Sequence, residues 1–77
     1  MKELLEFIVE NITGNKDFTI EESEQEGRFD YLIVSPKEFV GMIIGKEGKT
    51  IRAIRNLVKV RATLEKKAVS VSVEEKS

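Results

Sequence analysis

The sequence predicts an α+β fold with the order α-β-β-α-α-β, in which a three-stranded mixed sheet carries three helices packed on one face. Three observations predict it. Residues 3–12 place apolar side chains at helical spacing, two β-rich runs flank Glu26-Gly27, and two helix-like segments joined by a glycine turn precede a final alternating strand. Because that last strand follows a two-helix crossover, it can pair in parallel with the central strand. The right-handed crossover rule then puts the helices on one face.

The first helix spans Glu3 to Ile12, with Leu4, Leu5, Ile8 and Ile12 on one face and Glu3, Glu6 and Glu10 outside it; Gly14-Asn15 supplies the stop. Phe18-Thr19-Ile20-Glu21-Glu22-Ser23 begins as alternation before the acids take over, and Phe29 to Val34 is rich in aromatic and β-branched residues. These form a hairpin about Glu26-Gly27. The acid-rich first strand is its exposed edge, where charge discourages strand addition, and the nearly continuous second strand is covered by the rest of the fold. Ser35-Pro36-Lys37-Glu38 reads as a helix start, with Ser35 as N-cap, Pro36 at the first helical position and Glu38 closing a capping box. Phe39, Val40, Ile43 and Ile44 continue that helix to Gly45. Gly48 to Ala62 forms the third helix. At about 100° per residue, Ile51, Ile54, Leu57 and Val58 share one side, with Lys49, Arg52, Arg55 and Lys59 beside it. Val69, Val71 and Val73 alternate with serines as a half-buried strand, and residues 74–77 are expected to fray. Residues 1–77 make one domain.

Composition excludes several kinds of chemistry. The chain has 77 residues with no cysteine or histidine, so disulfides, thiolate catalysis, histidine acid/base chemistry and the usual zinc sites are absent. No carboxylate pair sits at an interpretable spacing in an apolar setting, and no nucleophile has a base beside it, so neither catalysis nor a cofactor is expected. The acids that interrupt the N-terminal apolar residues argue against a signal peptide or membrane span, and the cytoplasm is the expected location. A chain this short buries only about 60% of its unfolded surface, so a partner or a second copy would help its stability. Net charge is −1, yet it is unevenly divided: residues 1–35 carry three bases against nine acids, and residues 36–77 carry ten against five. The second half is locally basic.

The stretch that calls for an explanation is Gly41-Met42-Ile43-Ile44-Gly45-Lys46-Glu47-Gly48-Lys49-Thr50-Ile51-Arg52. Gly48-Lys49-Thr50 imitates the end of a phosphate-binding P-loop, but that motif needs a glycine where Ile43 stands and a strand ahead of it where this chain has a helix. A Gly-x-x-Gly turn between two helices is instead the hallmark of KH modules, which clamp the backbone of about four nucleotides. The residue types suit that task. Glycines let a sugar-phosphate strand touch the main chain, amides at the start of the third helix can point at phosphate, and Lys46 and Lys49 add charge. A tight helix connection with no ligand uses the same glycines.

Ile44-Gly45-Lys46-Glu47-Gly48-Lys49-Thr50-Ile51 closely resembles the KH signature, and the element order matches the type II KH domain. With the Ser35-Pro36 lead-in and the length, the chain resembles the small stand-alone bacterial KH proteins of the KhpA type. The resemblance implies a post-transcriptional regulator or RNA chaperone that binds single-stranded RNA, acting as a homodimer or with a larger KH-domain protein. It implies Gly45 to Gly48 as the clamp, Lys46, Lys49, Arg52 and Arg55 as phosphate contacts, and Ile44 and Ile51 as walls of a groove for bases. Gly41 is a contact either to RNA or to a neighbouring helix. Glu47 in the turn, and Met42 where many relatives carry a base, lower the positive potential, so weak and salt-dependent binding is expected. The alternative is a protein-interaction or dimerisation module that keeps the KH fold with little RNA binding.

Overall fold

The computed structural model describes residues 1–76. Helix α1 (Lys2–Thr13) ends at Gly14, whose left-handed backbone lets its N–H reach the Glu10 carbonyl at 2.8 Å. Strands β1 (Thr19–Gln25) and β2 (Arg28–Ser35) form the antiparallel hairpin, its two-residue turn at Glu26 and Gly27 having positive φ at both positions. Helix α2 (Lys37–Ile44), one turn of 3-10 helix (Lys46–Gly48) and helix α3 (Lys49–Leu64) then cross to β3 (Ala68–Glu75). That strand pairs in parallel with β2, giving the order β1-β2-β3 and the predicted mixed sheet with helices on one face.

One cluster holds these layers together. Leu5 and Val9 of α1, Ile43 of α2 and Ile51, Ile54 and Val58 of α3 pack on Ile20, Tyr31, Ile33 and Val71 of the sheet. Alternation along β2 explains the choice, since Tyr31, Ile33 and Ser35 point inward while Asp30, Leu32 and Val34 face the open side.

Three expectations are corrected. Ser35 does not cap α2: it is the last residue of β2, completely buried, and its hydroxyl donates to the Pro36 carbonyl at 3.2 Å. The sheet holds its backbone, because the Lys76 N–H donates to the Ser35 carbonyl at 2.8 Å, and a residue before proline is in any case biased toward extended geometry. The helix therefore starts at Lys37, with no side-chain cap. Leu57 is not on the core side of α3 but 57% exposed, and Ala62 takes the fourth buried position. Fraying does not begin at residue 74, because Glu74 and Glu75 pair with Val34 and Ser35; Ser77 lies outside the described residues.

Candidate nucleic-acid interface

The turn is built by two glycines that do different work. Gly45 ends α2, its N–H donating to the Gly41 carbonyl at 2.8 Å, with φ 78° and ψ 170°, a conformation almost confined to glycine. Its missing side chain is also filled space: a Cβ there would strike Thr50 at the start of α3. Gly48 is left-handed (φ 73°, ψ 15°) and caps α3, but a Cβ on it would meet nothing within 4 Å. Glu47 between them is left-handed too, at φ 57°. The Gly48 side of the turn is thus open, and no side chain caps the first amides of α3.

Lys46, Glu47 and Lys49 are exposed on this turn. Among the described residues, Lys46, Lys49, Arg52, Arg55 and Lys59 make no ion pair, whereas Arg61 pairs with Glu65 at 3.2 Å and Lys67 with Glu24 at 3.5 Å. Beyond the turn, a groove of about 580 Å³ runs between α3 and the free edge of β3. Arg52, Arg55, Asn56, Lys59 and Thr63 form its helical wall; Lys67, Ala68, Val69, Ser70 and Val71 form the other. Arg55 spans the two, its Nε donating to the Val71 carbonyl at 3.0 Å.

Of the residues singled out in the sequence, the turn brings together Gly45, Lys46, Glu47, Gly48 and Lys49, and the groove continues with Arg52 and Arg55. Ile44 is partly exposed beside the turn. Ile51 is not available as a groove wall: at 7% exposure it belongs to the core, because it shares the inward face of α3 with Ile54 and Val58. Gly41 is exposed, and a Cβ there would meet nothing within 4 Å, so no neighbouring helix requires it. Lys59 was legible from its spacing after Arg52 and Arg55. Asn56 and Thr63 share that face by the same spacing, whereas Lys67 and Ser70 join the groove only through the packing of α3 beside β3, for which local sequence holds no signal.

A model of the family described as "KhpA/KhpB, KH domain" matches residues 2–73. The chain belongs to the KhpA/KhpB family of KH domains. The chain is 36% identical over 76 residues to a Chlamydia trachomatis protein named RNA-binding protein KhpA, covering 97% of each chain. A Caldanaerobacter subterraneus protein of the same name is 38% identical over 76 residues, covering 95% of this chain and 99% of its own. One from Thermotoga maritima is 41% identical over 59 residues, 75% of this chain and 79% of its own. The KhpA/KhpB family is a binding family and not an enzymatic one. No helix among the described residues is long and apolar enough to cross a membrane.

Proposed function

We propose that this protein binds single-stranded RNA in the cytoplasm, with Gly45 to Gly48 clamping the sugar-phosphate backbone and the α3–β3 groove receiving the bases. The observation that carries this reading is an open glycine turn at the start of the helix whose side walls a groove with three cations, Arg52, Arg55 and Lys59, that make no ion pair among the described residues. Amides at the start of α3 and the Lys46 and Lys49 ammonium groups supply the phosphate contacts. The names of the relatives support RNA as the ligand. The resemblance to the KhpA type supports a role as RNA chaperone or post-transcriptional regulator. Titrating labelled RNA of mixed sequence at two salt concentrations, with wild type and Lys46→Asp, tests it. Binding should weaken with salt and with the substitution; indifference to both would remove the clamp.

A second reading concerns association. Leu57, Val60 and Leu64 are 57%, 62% and 77% exposed at i, i+3 and i+7 along α3, the spacing of a helix-pairing seam. We assign this ridge to a second copy of the chain, and a larger KH-domain partner is the other occupant it would suit. Sedimentation should show a dimer that Leu57→Asp converts to folded monomer. If the chain is monomeric and the ridge captures only a larger protein, the alternative role as an interaction module gains.

A further inference from the structure

The apolar ridge of α3 and the groove beside it are held in a fixed relation by the helix that carries both. Ala53 is exposed one turn before Leu57, so the ridge reads Ala53, Leu57, Val60, Leu64, the spacing of a helix-pairing seam. At about 100° per residue, its centre lies roughly 110° around α3 from that of the groove wall, Arg52, Arg55, Asn56, Lys59 and Thr63. The groove therefore flanks the seam instead of lying behind it.

Charge decides how two such helices pair. Helix α3 carries Lys49, Arg52, Arg55, Lys59 and Arg61 and no acid, and Glu65 follows its last turn. A parallel pair would set these bases, and the Lys46 of each turn, side by side, which like charges oppose. An antiparallel pair brings the Glu65 end of each helix to the first turn of the other and opposes the helix dipoles favourably. It also faces Ala53 with Leu64 and Leu57 with Val60 in a contact that is its own complement.

Symmetry then places the grooves. The two-fold axis of an antiparallel pair stands perpendicular to the plane of the two helices, so grooves that flank the seam both open on one face and run in opposite directions. With Leu57 opposite Val60, each Gly48 lies about 16 Å along α3 from the axis, and the two glycine turns stand about 30 Å apart at opposite ends.

We propose that a dimer of this chain binds two single-stranded RNA segments at once, running in opposite directions on one face, as the two sides of an open RNA loop do. The inference rests on both readings above, RNA in the groove and a second copy on the ridge, and adds how they combine. The far end of each groove adjoins the turn of the other, so a strand that folds back fills both, whichever of its ends meets the turn. A strand that continues straight fills one.

The test uses the full chain and three labelled oligouridylates. One is a single nine-uridine segment, one joins two such segments by a flexible hexaethylene glycol spacer, and one holds two apart on a twelve-base-pair duplex, a rod of about 40 Å. Wild type should bind the flexibly joined pair about 10- to 100-fold more tightly than the single segment, because the second contact forms at an effective concentration of about 1 mM. The rod-separated pair should gain no more than the statistical factor of about two that a second, independent segment supplies. Leu57→Asp and, independently, Leu64→Asp should abolish the gain and leave single-segment affinity unchanged. An equal gain on the rod, a gain that survives in both variants as monomers, or no gain while sedimentation shows a wild-type dimer would overturn the proposal and leave RNA binding intact. A monomeric wild type would sink it together with the second-copy reading, and failure to bind the single segment would sink it together with the RNA reading.

Discussion

The two glycines of the turn should respond unequally to alanine, and the difference can be estimated before any measurement. Gly45 sits at φ 78°, ψ 170°, where a side chain costs about 1–3 kcal/mol in backbone strain. An alanine Cβ there would also press on Thr50 Oγ1, and would lie 2.6 Å from Thr50 Cβ and 2.8 Å from its backbone N. The backbone atom belongs to the first turn of α3 and cannot swing aside, so overpacking adds about another 1–3 kcal/mol. Gly48→Ala meets no atom and bears only the left-handed penalty of about 1–2 kcal/mol. A domain of this size holds only about 4–12 kcal/mol of stability, and each kcal/mol moves Tm by about 4–8 °C. Thermal melts followed by circular dichroism should show Gly48→Ala losing about 4–16 °C and Gly45→Ala clearly more, up to complete unfolding. Adding Thr50→Ala to Gly45→Ala should restore only part of the loss, because the Cβ and N contacts remain. Equal shifts for the two glycines, or a larger one for Gly48→Ala, would refute the division of labour between them.

Glu47→Lys keeps a non-glycine residue at the same left-handed position, so it should leave Tm nearly unchanged, raise RNA affinity several-fold at low salt and steepen the log–log salt slope by up to about 0.7. Gly41→Ala should raise Tm, by about 0.5–1 kcal/mol of stability, since nothing fills the space beside it; a simultaneous fall in RNA affinity would identify the strand's path past α2. The Ser70 hydroxyl and then Arg28 hold the Asp30 carboxyl below its ordinary value of 3.8. Asp30 therefore contributes stability that is present above that value and is lost as pH falls through its lower folded value, so the Tm of wild type and of Asp30→Asn should converge on acidification below about pH 4. Replacing Glu21 and Glu22 by glutamine should strengthen RNA binding in about 10 mM salt and have little effect at about 150 mM, as fluorescence anisotropy would show.

What was legible in the sequence is what depends on local rules. The 3.6-residue and 2-residue periods located the three α-helices and three strands, and the Gly-x-x-Gly spacing located the turn between α2 and α3. The misses share one cause, which is competition from partners distant in the chain. Ser35 has the sequence context of a cap, but the parallel ladder to β3 claims its backbone first. Residues 74 and 75 look like a charged tail, and the same ladder orders them. Ile51 and Leu57 lie about 120° apart around α3, at its 100° per residue, and the way α3 lies on the sheet sends one inward and the other to solvent. The second wall of the groove was invisible for the same reason, since Lys67 and Ser70 lie near Arg55 only after β3 docks.

Net charge misleads in the same way. A value of −1 would suggest indifference to RNA, yet the sheet order separates the signs. Glu21 and Glu22 lie on β1 at one edge and the cationic helix lies beside β3 at the other, while Glu24 reaches across to pair with Lys67 of the groove wall. Two strand spacings put those edges about 10 Å apart, longer than the screening length of about 8 Å at physiological ionic strength. A phosphate strand at the groove would therefore meet the field of Lys46, Lys49, Arg52 and Lys59, with Glu24, paired to Lys67, as the hairpin acid that reaches it. A strand approaching the β1 edge meets carboxylates instead. The overall acidity is thus compatible with the proposed RNA-binding edge, and Glu47 is the one acid in the turn proposed as the clamp.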